Sequence, residues 1–247
     1  MKLSKRLETV ASFVKKGNSI ADVGTDHGYI PIALMERGWA VKAVAMDVRP
    51  GPLKRARCHI RERGLEEKIE TRLGDGVKTL APGEADTVII AGMGGELVIH
   101  ILEEGRALWD TVDQWILSPQ SDLDKVRRYL EQEGFVIARE DMTREDGKYY
   151  TVMEAVRPCV REKLVTEELP ELREAGYLYG ARLIRGRHPV LLEFLEREER
   201  QVREILKSLE AQEGARAAAR KEELTRKLSW IEAARNEMKG GMQDEVP

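Results

Sequence analysis

Residues 20–31 read IADVGTDHGYIP, an apolar run that ends in a glycine turn and then becomes helix-compatible. Strand, glycine turn and helix in that order form the opening unit of a doubly wound α/β sheet. Gly24 and Gly28 let the backbone turn sharply and approach a ligand closely. Pro31 is tolerable only in the first helical turn. The turn also carries two acids, Asp22 and Asp26, where a phosphate-binding turn offers bare backbone N–H groups.

The alternation continues outward from this stretch. Upstream, Leu3, Leu7, Val10 and Val14 recur at helical spacing, and Gly17 ends that amphipathic helix. Downstream, AVKAVAMD is a strand, GPLKRARCHIRER a basic helix stopped by Gly64, and KIETRLGDG a strand running into a turn. ADTVIIAGMGG is a strand with a glycine turn, ELVIHILEEG a helix, VDQWILSPQ a strand and DLDKVRRYLEQEG a helix. FVIAREDM and KYYTVMEAV are two strands around a turn at Glu145 to Gly147. The order β-α-β-α-β-β-α-β-α-β-β predicts a seven-stranded, doubly wound, mostly parallel sheet with an antiparallel edge. The segment joining the third and fourth strands is too short for a helix.

Beyond about Pro158 the composition shifts to Arg and Glu, with Pro170 and Pro189 as punctuation. From Val190 two long helices follow, broken near Gly214. Leu195, Val202 and Leu209 sit a heptad apart, and Leu224, Leu228, Ile231 and Met238 alternate by four and three. This pattern predicts an antiparallel helical hairpin, a coiled coil closing on a narrow apolar seam. The expected domains are therefore residues 1–157 and 158–247. The last residues, GGMQDEVP, read as a frayed tail.

Bulk properties bound the function. A net charge of −3 over 247 residues generates no global attraction to nucleic acid, although local basic patches remain. Cys58 and Cys159 make no disulfide framework, and the four histidines show no zinc spacing, so no metal is expected. No apolar run approaches a membrane span, and the N-terminus is an amphipathic, charged segment unlike a secretory signal. A cytoplasmic protein, monomeric or weakly dimeric, is the expectation.

The acids at the strand ends point to the ligand. In an open α/β sheet the ligand lies at the carboxyl ends of the strands, where strand order reverses. A dinucleotide turn reads G-x-G-x-x-G, and here Asp26 takes the middle glycine's place. A carboxylate against a pyrophosphate is repelled by about 4 kcal/mol at 4 Å and an effective dielectric constant near 20. S-adenosylmethionine inverts that sign, because it carries a sulfonium and an ammonium and no phosphate. Asp22, Gly24, Thr25, Asp26, His27 and Gly28 then form the first binding turn. Asp47, at the end of the second strand, is placed for the ribose hydroxyls. Asp75 and Gly76, in the GDG turn, are placed for the adenine amine. Ala91, Gly92 and Met93 form a floor of AGMGG. Each turn alone is common; four in order at successive strand ends are not.

The segments LSKRLETVA, ADVGTDHGYIP, GDG, IIAGMGGELVIHILEEG and REDGKYY resemble the bacterial tRNA adenine-N1 methyltransferases that modify adenine 22 of tRNA. The likeness spans nearly all of residues 3–156, and LYGARLIRGRHPVLLEFL continues it weakly. The resemblance implies a Rossmann-like domain binding S-adenosylmethionine, a C-terminal coiled coil that helps hold tRNA, and Asp26 close to the acceptor adenine. Two positions depart from the family pattern. Ser118-Pro119-Gln120 stands where Gln-Pro-Asn or Gln-Pro-Gln is usual, and Asp47 stands where Glu is frequent.

Methylation of adenine N1 needs no strong base, because the lone pair is available. It creates a cationic base, and Asp26 is the candidate to stabilise that charge or accept an N6 proton; its alternative role is a helix N-cap. His27 orients the loop or stacks. Arg6 is a candidate for the cofactor carboxylate. Lys54, Arg55, Arg57, Arg61 and Arg63 on one helix form one candidate RNA face. Arg182, Arg185 and Arg187, with Tyr177 and Tyr179 beside them, form a better one, and Gln120 is a further candidate RNA contact. Two other functions share these features: a methyltransferase acting on a small molecule or protein, and a non-catalytic RNA-binding protein with a vestigial Rossmann-like domain.

Overall fold

The computed structural model describes residues 1–158, 170–210 and 212–240. Cys159 and most of the GGMQDEVP tail lie outside the described residues. The chain divides into two compact units, Met1–Glu162 and Lys163–Pro247.

The first unit follows the predicted order: α1 (Lys5–Phe13), β1 (Asn18–Val23), α2 (Tyr29–Glu36), β2 (Ala40–Asp47), α3 (Pro50–Glu62), β3 (Ile69–Leu73), β4 (Thr87–Ala91), α4 (Gly95–Glu104), β5 (Gln114–Ser118), α5 (Leu123–Gln132), β6 (Val136–Glu145) and β7 (Lys148–Val156). The strands form one seven-stranded sheet in the order β3-β2-β1-β4-β5-β7-β6. The first five are parallel, and β7 runs antiparallel to both β5 and β6. The strand order reverses between β1 and β4, which makes the carboxyl end of that pair the expected place for a ligand.

Alternation along each strand explains the two layers. Ile20, Ala43, Ala45, Ile89 and Ile116 pack with α1, α2 and α3 on one face. Ala21, Val23, Val44, Met46, Val88, Ile90, Trp115 and Leu117 pack with α4 and α5 on the other. Both faces of the central strands are covered, so they read as unbroken apolar runs.

The N-terminal helix α1 is pinned at both ends. The Lys5 N–H donates to Glu145 Oε1 at 2.6 Å, from the tip of the β6–β7 hairpin. Buried Gln114 donates from Nε2 to Phe13 O at 2.8 Å and to Glu154 at 2.7 Å, while its Oε1 accepts from Thr87 at 3.0 Å. Arg37 clamps Glu8 with two 2.7 Å bonds. These ties hold the start of α1 against the rim of the sheet.

The second unit is helical: α6 (Pro170–Ala175), a π-helical turn (Gly176–Gly180), α7 (Ala181–Arg185), α8 (Pro189–Leu209) and α9 (Ala215–Gly240). Leu195 and Val202 of α8, and Leu224, Ile231, Ala234 and Met238 of α9, form the buried seam. Leu209 and Leu228, predicted for the same seam, are only half-buried. Ion pairs Lys227–Glu198 and Arg203–Glu232, at 3.0 and 3.1 Å, join the two long helices. Helices α6 and α7 also pack on α9, so the long helices do not stand alone.

Candidate active site

A cavity of about 760 Å³ opens at the carboxyl ends of the parallel strands. That volume falls in the range of small-molecule sites. Each turn around it is tied to a neighbour. Gly24 N–H and Thr25 N–H both donate to Met46 O at 2.8 Å, joining the β1 turn to β2. Gly74 N–H donates to Asp47 O at 3.1 Å. Gly92 N–H donates to Ser118 O at 3.1 Å and Gln120 N–H to Met93 O at 2.8 Å, which joins the β4 and β5 turns. Gly24, Gly28, Gly76 and Gly92 all have positive φ. At Gly92 a Cβ would point 3.6 Å from the Arg6 guanidinium and 3.7 Å from Gln120 Nε2, into the cavity.

All twelve residues expected at a cofactor line this cavity: Asp22, Gly24, Thr25, Asp26, His27, Gly28, Asp47, Asp75, Gly76, Ala91, Gly92 and Met93. Gln120 and Arg6 join them. Sequence reading missed Ser4, Leu7, Tyr29, Val48, Arg49 and Leu97. Only the pinning of α1, a long-range property, brings Ser4 and Leu7 there. Arg6 also lies over the Tyr150 ring, 5.2 Å from its centroid.

The electrostatics differ from residue to residue. Burial pushes the Asp22 carboxyl up to about 6; Thr25 pulls against that shift and the charge of Asp47 adds to it. Asp47 is also buried and accepts the Arg49 N–H at 2.8 Å. Two adjacent buried acids at a cavity floor suit a cationic ligand and repel a phosphate. Asp75 is exposed and bound to Lys78 at 2.8 Å, which holds its carboxyl below the usual range. It therefore shares its carboxylate with a lysine, a partner the GDG motif alone did not reveal.

Asp26 stands on the rim. Arg55 of α3 hydrogen-bonds it, and His27 Nε2 lies 3.3 Å from its other oxygen. The Arg55 bond holds the carboxyl below the usual range, partial burial opposes it, and the charges of His27, Arg55 and Arg49 add to the lowering. Asp26 is exposed and does not cap α2: Gly28 occupies the N-cap position, with no side-chain cap.

The candidate basic face of α3 is exposed, and several of its five cations have partners in the fold. Arg55 is held by Asp26, Arg57 by Thr71 at 3.0 Å, and Arg63 by Glu36 at 2.8 Å. Those charges tie α3 to its neighbours. Tyr179 is a correction: it is buried and its hydroxyl donates to Glu198 at 3.2 Å, so it offers no stacking face. Arg182, Arg185 and Arg187 are exposed in the second unit. Ser118 is buried and does not line the cavity, whereas Gln120 does. Among the described residues no group of three or more His, Cys, Asp or Glu side chains is placed to hold a metal, and no helix is long and apolar enough to cross a membrane.

A family profile described as a methyltransferase domain matches residues 3–153. The crystal structure of the tRNA N1-methyladenine-22 methyltransferase of Bacillus subtilis superposes with a TM-score of 0.81 at 31% identity, covering 94% of this chain and 98% of that one. The chain belongs to this tRNA adenine-22 N1-methyltransferase family. By sequence, the tRNA (adenine(22)-N(1))-methyltransferase of B. subtilis is 39% identical over 155 residues, which is 63% of this chain and 65% of that protein. A Streptococcus pneumoniae protein described as a putative tRNA (m1A22) methyltransferase, crystallised in complex with S-adenosyl-L-methionine, has a TM-score of 0.79 at 31% identity and covers 94% of this chain and 99% of that one.

Proposed function

We propose that the protein methylates N1 of adenine 22 in tRNA, using S-adenosylmethionine. The observation that carries the reading is the anionic cavity at the strand-order reversal, with Asp22 and Asp47 buried in its wall. Family membership supports the acceptor. Within this reading, Asp22, Asp47 and the turns at Gly24 and Gly92 hold the cofactor, and Arg6 is placed for its carboxylate. When bound, the cofactor supplies a methyl carbon on a sulfonium, whose carbon–sulfur bond breaks as the N1 lone pair bonds to that carbon.

The protein's own work is positioning and electrostatics. N1 lies in the pairing edge, so the base must leave its stack to be reached. Asp26, kept ionised by Arg55, faces the positive charge that the adenine gains. Exposed Arg182, Arg185 and Arg187 are proposed phosphate contacts of the second unit, and Gln120 a contact to the base. The reading places the protein in the cytoplasm with its tRNA.

Methyl incorporation into unmodified tRNA followed by nucleoside analysis tests the acceptor; methylation of protein or small molecules alone would reverse the assignment. Asp26→Ala is expected to keep S-adenosylmethionine affinity within a few fold while transfer falls by roughly 100-fold or more, the scale of a lost charge-stabilising group. Undiminished turnover would remove Asp26 from the chemistry.

A further inference from the structure

Three rings stand together beside the Asp26 turn. His27, Tyr29 at the start of α2 and His59 on α3 lie in near-parallel planes, with interplanar angles of 9°, 18° and 12°. Their centroids are 4.9, 5.5 and 5.6 Å apart. Three similar distances make a triangle, so the rings do not form a column; they are offset-stacked, stepped against one another into a shelf. The shelf is braced from behind, where His59 Nδ1 lies 3.0 Å from the His27 carbonyl oxygen. It is braced at its edge, where His27 meets Asp26.

Tyr29 and His27 line the cavity, and His59 does not. Tyr29 is 38% exposed and belongs to neither apolar core. Among the described residues its hydroxyl makes no hydrogen bond. Folding therefore gains little from this ring, and an aromatic face held open at a cavity mouth is a recognition feature. Its neighbour is decisive. The residue that would meet the pairing edge of the adenine, Asp26, is three positions away and touches the same shelf through His27. One base would thus be read on its edge by a carboxylate and on its face by a ring.

We propose that Tyr29, buttressed by His27 and His59, is the platform on which the extruded adenine stacks. The inference rests on the proposed methylation of an adenine in tRNA. Base–aromatic stacking tolerates loss of a hydroxyl but not loss of the π-face. Tyr29→Leu is therefore expected to lower kcat/KM for tRNA by roughly 10- to 100-fold. Tyr29→Phe is expected to recover most of that loss. Calorimetry should find S-adenosylmethionine affinity of Tyr29→Leu within about threefold of wild type, which also shows an intact fold. His59→Ala, behind the shelf, should give a several-fold loss confined to tRNA.

Wild-type methylation of tRNA at adenine N1 decides the parent reading before any variant is compared. If the wild type methylates that position and Tyr29→Leu matches its kcat/KM, the platform is wrong and the parent reading stands. If Tyr29→Leu loses S-adenosylmethionine affinity in parallel with tRNA turnover, the ring belongs to the cofactor and the platform is likewise wrong.

Discussion

The α8–α9 seam and the cavity of the sheet unit use charge in opposite ways. In the helical unit, acids and bases meet across the α8–α9 seam: Glu198 with Lys227, Glu199 with Arg235, and Glu232 with Arg203. They flank a seam whose centre, Leu195, Ile231 and Ala234, is 0% exposed. In the sheet unit, Asp22 and Asp47 are buried side by side at the cavity, and apolar Tyr29, Val48 and Leu97 are left exposed around it. Pattern, packing and charge agree in the first case and conflict in the second. Conflict that a fold retains marks where it binds something. The comparison also predicts that the two regions fail differently when disturbed.

The largest effect is expected in the seam. Leu195→Ala deletes a fully buried side chain between α8 and α9 and should cost about 2–5 kcal/mol in the stability of the helical unit. Thermal or urea unfolding measures it. Every residue of the cavity lies in the first unit, so S-adenosylmethionine affinity should be unchanged. A parallel fall in affinity would break the comparison.

Asp22 should behave in the reverse manner. Its carboxyl titrates near 6 in the fold against 3.8 ordinarily, because burial disfavours the charge. The folded protein therefore holds a proton that the unfolded chain has released. Stability from this group falls as pH rises from about 4 to about 6, and the full penalty stands above 6. The gap corresponds to about 3 kcal/mol at most. Asp22→Asn should accordingly raise the unfolding midpoint of the ligand-free protein at pH 7.5 and have little effect at pH 4. The same change should weaken S-adenosylmethionine by about tenfold or more, and wild-type affinity should decline as pH drops through 6. A variant that loses stability at pH 7.5 would show that Asp22 is a structural acid like those of the helical unit.

Much of this contrast was legible in the sequence because both regions are periodic. Short apolar runs marked the strands and glycines marked their ends, so Asp22, Asp47, Asp75 and Met93 came to one cavity as their strand-end positions required. The heptad spacing of Leu195 and Val202 located the seam. What stayed hidden was pairing across distance. GPLKRARCHIRER reads as a free basic face, yet Arg55 reaches Asp26 from 29 residues away and Arg63 reaches Glu36 from 27 away. The three-ring shelf needs α2 and α3 packed side by side, which no spacing rule encodes. Tyr179 sits beside Arg182 in sequence, but the π-helical turn at Gly176–Gly180 accompanies its burial against Glu198.

The smallest predicted effect separates a functional ion pair from a structural one. Arg55 and Asp26 are 49% and 56% exposed, so water screens their attraction and the pair contributes at most about 1 kcal/mol. Its consequence is in the pH profile. The Arg55 hydrogen bond lowers the Asp26 carboxyl, so at saturating S-adenosylmethionine, where protonation of Asp22 no longer limits binding, Asp26 stays ionised and transfer persists further into acid than an unpaired carboxylate would allow. Arg55→Gln should lose only about 2- to 5-fold in kcat/KM at pH 8, with the acidic limb moved upward toward the ordinary carboxylate range. Lys227→Gln, which opens the comparable pair with Glu198 in the helical unit, should leave that limb in place. If both variants shift the limb equally, or neither does, the ionised state of Asp26 is not what the limb reports, and the pairing with Arg55 is structural like the others.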